Sequence, residues 1–405
     1  MAGQPLPGEP VPADGSLPVG SLDPDRPLSI YIHVPYCRTR CGYCDFNTYT
    51  AGELAGADGK VPAGSATEAY IDAALAELDL THRVVGRRRV PTIFVGGGTP
   101  TLLPSSELVR LVAGIAERFD LDPAAEVTTE ANPETVTQAS LGELREGGFT
   151  RVSFGMQSAV PHVLATLDRV HTPGRAVDAV ADARAAGFDD VSLDLIYGTP
   201  GESDADWQAS LDAVVAARPD HVSAYALIVE EGTALARRVA KGLIEAPDDD
   251  ALADRYLMAD ETLAAAGYRC YELSNWARPG RECRHNVAYW RSADWWGIGP
   301  GAHSHVGGVR WWNVRHPATY ATRLAEGLSP GQARELLDHD ARRVERVLLE
   351  LRLADGLPLG VLTPTERPRL ADQVDRGLVT LDDDVVRLTL QGRLLADAVV
   401  RDVLD

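Results

Sequence analysis

The sequence predicts an α/β protein: a partial (β/α)6 barrel, followed by a smaller α+β segment and a C-terminal winged-helix-like domain. Three observations support this architecture. From Ser29 onwards, short apolar runs rich in β-branched residues alternate with amphipathic helical segments at intervals of roughly thirty residues. The connections between these units are short, which is typical of a parallel sheet covered by helices. Six units are two fewer than a closed (β/α)8 barrel needs, so we expect an open barrel.

The barrel is expected over residues 28–267. We predict its strands at residues 29–34, 92–96, 126–130, 151–155, 190–196 and 221–227. The helix after the first strand should begin near Ser65, in a Ser-x-x-Glu pattern typical of a capping box. The helix after the third should end at Gly147-Gly148, and the helix after the fifth should begin at Ser203.

The regions on either side of the barrel differ from it in composition. Residues 1–27 are rich in Pro, Gly and Asp, and we expect a disordered leader there. Residues 268–329 are expected to form the α+β extension. In residues 330–405, helical patterns at 331–353 and 364–376 precede a strand at 385–389 and a helix from about residue 392. This last region has 11 basic and 15 acidic residues, which disfavours a DNA-binding role for the winged-helix-like module.

The overall composition excludes several classes of protein. Apolar residues make up 45% of the 405 residues and charged residues 24%, as in ordinary globular proteins. The net charge of −20 argues against nucleic acid or an anionic membrane as the main partner. No signal-peptide pattern and no run of roughly 20 apolar residues is present, so we expect a cytoplasmic protein without an integral membrane segment.

Three of the five cysteines follow the first predicted strand with the spacing C-x3-C-x2-C: Cys37, Cys41 and Cys44. Such bunching indicates metal or redox chemistry in a reducing compartment rather than a disulfide framework. Three thiolates suit a 4Fe–4S cluster whose fourth iron is left for a small molecule. The alternative is a structural zinc site completed by a distant ligand, for which the candidates are Cys270, Cys283 and His33.

Other polar and glycine-rich positions also fall at the C-terminal ends of the predicted strands, where barrel proteins place their chemistry. The loop 96–100 reads Gly-Gly-Gly-Thr-Pro. Three consecutive glycines favour close approach to a ligand, whereas a tight turn alone needs only one. Glu130 suits an ammonium group, Arg169 a carboxylate and Asp194 a ribose diol or a second cation, and Gln157 lies on the same rim. Each of them alone is as well explained by a structural hydrogen bond.

The extension contains the run His285-Asn286-Val287-Ala288-Tyr289-Trp290, with Cys283 two residues earlier. An imidazole among aromatic residues suits a flat hydrophobic ligand with a metal centre. From the residues alone, the more ordinary interpretation is a histidine whose hydrogen bonds are satisfied within aromatic packing. The same two interpretations apply to His303 and His305, which follow a glycine-rich turn.

The run Tyr31-Ile32-His33-Val34-Pro35-Tyr36-Cys37 through Cys44, together with the glycine loop, resembles the radical S-adenosylmethionine (SAM) superfamily. From about residue 28 to the C-terminus the chain is similar to the oxygen-independent coproporphyrinogen III oxidase group, and within it to the haem chaperone branch. The resemblance implies that the three cysteines hold a 4Fe–4S cluster, and it favours the cluster over zinc. It also implies the SAM contacts, which are Tyr31, Tyr43, Gly97, Gly98, Thr99, Glu130, Gln157, Arg169 and Asp194.

Three features distinguish the branches of this group. Members of the oxidase branch carry an ordered N-terminal arm that covers the substrate, which the Pro- and Gly-rich leader of this chain is not expected to do. Members of the oxidase branch have the pattern C-x3-C-x2-C-x-C, with a fourth cysteine two residues after the third. Here Asp45 and Phe46 follow Cys44, as in the chaperone branch. The H-N-x-x-Y-W run at 285–290 matches a signature of haem-handling members. The resemblance therefore implies a protein that binds haem and passes it to acceptor haemoproteins, with the cluster and SAM regulating transfer. The alternative is an oxidase that decarboxylates coproporphyrinogen III through a substrate radical.

Several points stay open in the sequence. No catalytic residue is assigned, and a homodimer is neither required nor excluded. The candidate haem-iron ligands are His285, Cys283, His303 and Tyr289.

Overall fold

A thirteen-stranded sheet dominates this computed structural model, which describes residues 8–55, 59, 61, 63–169 and 172–405. A small three-stranded sheet lies near the C-terminus. The strands are β1 (Glu9–Pro10), β2 (Leu28–Val34), β3 (Arg89–Gly97), β4 (Asp120–Ala131), β5 (Arg151–Gln157), β6 (Asp190–Tyr197), β7 (His221–Ala226), β8 (Arg269–Glu272), β9 (Asn275–Ala277), β10 (Asp294–Ile298), β11 (His303–Val306), β12 (Val309–Asn313), β13 (Gly331–Leu336), β14 (Leu357–Pro358), β15 (Val379–Asp382) and β16 (Val385–Leu388).

Helices cover the large sheet and build most of the C-terminal unit. They are α1 (Ala51–Leu54), α2 (Thr67–Val85), α3 (Ser105–Arg118), α4 (Gln138–Glu146), α5 (Pro161–Thr166), α6 (Arg175–Ala185), α7 (Asp204–Ala217), α8 (Ala234–Ala240), α9 (Asp249–Ala265), α10 (Arg284–Trp290), α11 (Pro317–Ala325), α12 (His339–Glu350), α13 (Arg367–Asp375), α14 (Leu390–Leu394) and α15 (Ala396–Leu404). None of these helices combines the length and apolar character that a membrane span requires.

The six barrel strands β2 to β7 are parallel and lie side by side in chain order. Five of them enclose the predicted strands, and β7 ends one residue before its predicted end. Their apolar side chains, such as Ile30 and Ile93, pack against helix residues such as Leu108 in one continuous core. The barrel is open, because its two edge strands do not pair with each other: β2 pairs with β10, and β7 pairs with β9. The predicted partial barrel is therefore confirmed.

Two of the three helix ends that were predicted from local sequence signals are confirmed. The Ser203 hydroxyl accepts a hydrogen bond from the Asp206 N–H at the start of α7, and α4 ends at Gly147, as expected. Helix α2 begins one residue later than a cap at Ser65 would require. Ala66 occupies the N-cap position with no side-chain hydrogen bond, and the Ser65 hydroxyl is buried without a partner. The predicted capping box is therefore wrong, because Ser65 belongs to a short 3-10 turn that precedes the helix.

Residues 8–27 differ from the disordered leader that composition suggests. Strand β1 pairs antiparallel with β13, and the Glu9 carboxylate forms an ion pair with Arg334 at 2.7 Å. The N–H of Ser329 donates to the carbonyl of Ala13 at 2.7 Å. These contacts come from residues more than 300 positions away, so the local composition does not reveal them. Residues 1–7 of the expected leader lie outside the described part of the chain.

The extension continues the large sheet on both sides of the barrel. Strand β9 pairs with β7 and β8 pairs with β9, so these two strands extend one edge of the sheet, while β10 to β13 extend it beyond β2. The predicted helix over 331–353 is wrong in its first part, because residues 331–336 form β13 and α12 begins only at His339. Cross-strand pairing of Glu335 with Arg310 in β12 outweighs the helical pattern of the sequence. The C-terminal unit therefore begins after β13 rather than at residue 330.

The C-terminal unit has its own apolar core, which includes Val347, Leu370 and Val400. Its small antiparallel sheet has the order β14-β16-β15. Along the chain, α12 precedes β14 and α13 follows it. This order is compatible with the winged-helix-like module, which stays a prediction. The unit is tied to the rest of the chain by ion pairs, including Arg393 with Asp260 at 3.0 Å.

Candidate functional site

The C-terminal ends of the barrel strands surround a cavity of about 1300 Å³, which we call the barrel cavity. Its walls come from the loop after β2, the glycine loop after β3 and the ends of β4 to β7, as the barrel rule predicts. Every predicted site residue except His303 lines it: Tyr31, Cys37, Cys41, Tyr43, Cys44, Gly97, Gly98, Thr99, Glu130, Gln157, Arg169, Asp194, His285 and Tyr289.

The loop with the three cysteines is held in place by backbone hydrogen bonds. The N–H of Cys37 donates to the carbonyl of Tyr49 at 3.0 Å, and the N–H of Gly42 donates to the carbonyl of Leu167 at 3.3 Å. A Cβ added at Gly42 would meet the carboxylate of the exposed Asp168, which would have to move aside. The three thiols are partly buried, and burial raises the pKa of Cys44 to about 11. Metal binding must therefore displace a proton from this thiol.

The side chains present favour a cluster over a zinc ion. The candidate fourth zinc ligands are all engaged elsewhere: Cys270 donates to the carbonyl of Glu272 at 3.0 Å, Cys283 to Glu126 at 3.5 Å, and both ring nitrogens of His33 are hydrogen-bonded. In the part of the chain that the structure describes, no three His, Cys, Asp or Glu side chains are placed to hold a single metal ion. A 4Fe–4S cluster does not need that arrangement, since each thiolate binds a different iron.

Two donors accompany the cysteine sulfurs. The hydroxyl of Thr99 lies 3.9 Å from Sγ of Cys37, and Nη1 of Arg169 lies 3.6 Å from Sγ of Cys41. Donors at these positions stabilise thiolates and so suit iron ligation.

The glycine loop packs directly against the chain that leads to the cysteines. The N–H of Gly98 donates to the carbonyl of Val34 at 2.8 Å, and the N–H of Thr99 to the carbonyl of Tyr36 at 2.8 Å. A Cβ at Gly98 would overlap the Tyr36 carbonyl, and Gly97 has a φ of 111° that favours glycine. Backbone packing thus requires two of the three glycines, and the same loop also lines the cavity.

The carboxylates of Glu130 and Asp194 face the cavity in a buried environment. The N–H of Gly97 donates to Oε2 of Glu130 at 3.0 Å. Both oxygens of Asp194 accept from Ser153 at 2.9 Å, and Oδ1 also accepts from Ser223 at 2.8 Å. Burial, and secondarily the charge of Asp194, raise the pKa of Glu130 to about 8. The charges of Arg151 and Arg169 partly offset burial at Asp194, whereas at Glu130 the offsetting group is the neutral N–H of Gly97. The buried Glu130 carboxyl therefore favours a positively charged ligand.

An unpaired donor lies beside β5, between the two strands that carry these acids. Nη2 of Arg169 donates to the carbonyl of Gly155 at 2.8 Å, but its Nε is buried without a partner. Such an orphaned donor suits a carboxylate ligand. Gln157 has a φ of 65°, a left-handed conformation that costs a non-glycine residue energy and is common at functional sites. Together with Glu130, these side chains fit the zwitterionic end of an amino acid.

The histidine of the H-N-x-x-Y-W run is enclosed by its neighbours. Nδ1 of His285 lies 2.8 Å from the hydroxyl of Thr92, and Nε2 lies 2.9 Å from the hydroxyl of Tyr289. The ring stacks on Phe94 with a centroid distance of 5.3 Å, and burial lowers the pKa of His285 to about 3. With both nitrogens engaged, His285 is placed as a packed histidine rather than as an iron ligand.

A second cavity of about 680 Å³ adjoins the barrel cavity, and we call it the extension cavity. His303 and His305 line it from β11, where their spacing of two places both on the same face of the strand. The residues Tyr31, Asp45, Phe46 and Tyr289 line both cavities and stand between them.

Sequence reasoning did not find this second cavity. The spacing of the two histidines was its only local signal. Nothing in the sequence indicated that Arg315 and residues of α12 would complete its wall.

Comparison with known proteins identifies the family. A sequence model of the radical SAM superfamily matches residues 31–214. The heme chaperone HemW of Mycobacterium tuberculosis (strain H37Rv) is 53% identical over 381 residues, covering 94% of this chain and 96% of that protein. HemW of Escherichia coli (strain K12) is 34% identical over 384 residues, covering 92% and 97%. The solved coproporphyrinogen III oxidase HemN of Escherichia coli shares the fold, with a TM-score of 0.80 at 24% identity over 94% of this chain and 91% of that one. The chain therefore belongs to the HemW family within the radical SAM superfamily.

Proposed function

We propose that this protein binds haem and transfers it to acceptor haemoproteins in the cytoplasm. The observation that carries the proposal is the similarity to relatives named heme chaperones, which extends over 94% of the chain and so includes the C-terminal unit. The side chain of Phe46 supports it. This residue occupies the position at which the oxidase pattern has a fourth cysteine. Its side chain lines both cavities, and 58% of its surface is exposed.

Membership of the radical SAM superfamily implies a 4Fe–4S cluster and SAM, and the barrel cavity fits both. Cys37, Cys41 and Cys44 would hold three irons, and the fourth would stay open to SAM. A reduced cluster held there would supply the electron for cleavage of SAM. Around it, the unpaired Nε of Arg169 would bind the carboxylate of SAM and the carboxylate of Glu130 its ammonium group.

A transfer assay tests the proposal. The full chain is reconstituted anaerobically, loaded with haem and mixed with the apo form of a haem-dependent enzyme. The enzyme's activity should return faster than with the same amount of haem on serum albumin, a passive carrier. If wild-type protein binds no haem, or releases it no faster than albumin, the carrier function is refuted.

A second assay separates the carrier from an oxidase. The barrel cavity is larger than the roughly 300–1,000 Å³ of most small-molecule sites, so its volume alone does not exclude a tetrapyrrole beside SAM. The reconstituted protein is therefore incubated anaerobically with SAM, a reductant and coproporphyrinogen III. We expect no protoporphyrinogen IX, and its formation over many turnovers would establish the oxidase instead. Sedimentation of the same samples with and without haem tests whether the carrier works as a homodimer.

A further inference from the structure

We propose that haem occupies the extension cavity, with His303 as the iron ligand, Arg315 as the partner of a propionate and α12 of the C-terminal unit as one wall. This inference rests on the proposed carrier function and assigns the cargo to a place separate from the cluster. The volume of about 680 Å³ lies within the roughly 300–1,000 Å³ of small-molecule sites.

The lining of the extension cavity suits a flat apolar molecule. Aromatic rings come from Tyr31, Phe46 and Trp295, and aliphatic side chains come from Leu348 and Leu349. Phe46 is exposed over 58% of its surface although it is large and apolar. A porphyrin face against this ring would remove the exposed surface from water, which stabilises the complex by the hydrophobic effect.

His303 is the histidine that is free to bind iron. It is exposed, and its ring stacks on Trp312 with a centroid distance of 5.9 Å and an interplanar angle of 25°. Among the residues that the structure describes, neither ring nitrogen of His303 has a hydrogen-bond partner. His305 is 5% exposed, and its Nδ1 lies 3.2 Å from the carbonyl of Ala293. The stacked but unpaired ring of His303 is therefore oriented by packing and keeps its nitrogens available.

Arginine side chains at the edge of the cavity divide into one that is engaged and one that is free. Arg310 is bound to Glu335, at 2.6 Å from Nη2, and also to Glu345. Arg315 is exposed, and its guanidinium has no partner within the described residues. A guanidinium pairs with a carboxylate through two parallel hydrogen bonds, so Arg315 is the residue placed to take a haem propionate.

The C-terminal unit contributes directly to the site. Helix α12 presents Glu345, Leu348 and Leu349 to the cavity, and the ion pair between Arg310 and Glu345 fixes this helix against β12. Haem bound between β11 and α12 would bridge the two units. The C-terminal unit, whose acidic composition disfavours DNA binding, would then serve as one wall of the haem site. Haem binding should also depend on how firmly α12 is held.

The two cavities share lining residues, which would lie close to both ligands. Tyr31 and Tyr289 line both cavities, and the ring of Tyr289 contacts Trp295 at a centroid distance of 4.8 Å. The H-N-x-x-Y-W run thus forms the partition beside the haem, and Nε2 of its histidine is hydrogen-bonded to the hydroxyl of Tyr289 at 2.9 Å.

Haem titrations of the full chain test the assignment. Hemin is added to wild-type protein and to His303→Ala, and the Soret band is followed. We expect the band of the histidine-ligated complex to be lost or shifted in His303→Ala, with at least tenfold weaker affinity, and to return when free imidazole is added. His162→Ala, which removes an exposed histidine outside both cavities, serves as the matched control and should bind hemin like wild type. Circular dichroism of each variant checks folding.

Two further arms identify the contacts. Arg315→Gln should weaken hemin binding but should not change the binding of hemin dimethyl ester, which has no propionate carboxylates. Iron-free protoporphyrin IX should bind wild type and His303→Ala alike. If wild type binds hemin and His303→Ala keeps its spectrum and affinity, or if His285→Ala alone abolishes the band in a folded protein, the assignment is overturned. Absence of hemin binding to wild type would instead refute the carrier function itself.

Discussion

The two cavities differ in how far their polar groups are already satisfied. In the barrel cavity, Nε of Arg169 is unpaired, but both oxygens of Asp194 and both ring nitrogens of His285 have partners within the protein. In the extension cavity, the ring nitrogens of His303 and the guanidinium of Arg315 have none among the described residues. Satisfied groups hold a site in one geometry, whereas unsatisfied groups are available to a ligand. The comparison shows that the histidine in the recognisable motif is the packed one, and the histidine without a motif is the free one.

The largest expected effect is the loss of the iron–sulfur cluster from the barrel cavity without loss of haem binding in the extension cavity. Replacing Cys37, Cys41 and Cys44 together by Ala should abolish the iron content and the broad absorbance near 400 nm after anaerobic reconstitution. Hemin affinity should change by no more than about twofold, because the proposed haem contacts are different residues. Cys270→Ala is the matched control and should keep the cluster. It removes a thiol that is hydrogen-bonded to the backbone carbonyl of Glu272. Loss of hemin binding in the triple variant would show that the cavities form one site.

The next effect concerns the pH dependence of SAM binding to the barrel cavity. Because burial raises the pKa of Glu130 to about 8, its carboxyl carries a proton below that pH and must release it to bind an ammonium group. SAM affinity should therefore rise by up to tenfold per pH unit from pH 6.5 to about 8, then level off. Calorimetry on the anaerobic, iron-loaded protein measures this slope.

Glu130→Gln tests the assignment of that slope. The variant should bind SAM at least about tenfold more weakly at pH 8.5, a loss of roughly 1.4 kcal/mol, and should lose most of the pH dependence. Hemin binding to the extension cavity should stay independent of the substitution. An unchanged slope in Glu130→Gln would assign the titration to another group, such as the neighbouring Asp194.

A third prediction asks whether His285 supports the fold or binds iron. His285→Ala removes two buried hydrogen bonds and a packed ring, so it should lower the free energy of unfolding by about 2–4 kcal/mol. Tyr289→Phe removes only one of those bonds and should cost about 1 kcal/mol. Urea unfolding measures both values. If hemin ligation rests on His303, both variants should keep the Soret band of wild type under conditions where they are folded.

The strands and the rim of the barrel cavity could be predicted because their signals are local. Buried parallel strands such as 190–197 appear as apolar runs, and the barrel rule brings the ends of successive strands to one mouth. Residues such as Glu130 and Asp194 therefore gathered in the cavity as the sequence indicated. Their roles toward SAM stay predictions that the Glu130→Gln experiment addresses.

Features that depend on distant partners could not be predicted in this way. Strand β13 takes its conformation from pairing with β12, although its residues have a helical pattern. The state of His285 is set by Thr92, which lies 193 positions away in the chain. Likewise, the pairing of Arg310 with both Glu335 and Glu345 appears only when β12, β13 and α12 are placed together.

The smallest expected effect tests whether α12 is a wall of the haem site. Arg310→Gln removes the ion pairs with Glu335 and Glu345, and these are partly exposed, so the loss should be about 1 kcal/mol or less. Hemin should then bind roughly two- to fivefold more weakly, mainly through faster dissociation, because α12 is held less firmly against the cavity. Arg346→Gln is the matched control: it breaks the ion pair with Glu350 on the same helix but leaves the cavity untouched. Stopped-flow transfer of hemin to excess apomyoglobin measures both dissociation rates. Equal rates in the two variants would mean that α12 does not enclose the haem. Faster release from Arg310→Gln alone would place haem beside Arg310 and Glu345, where β12 and α12 meet at the cavity.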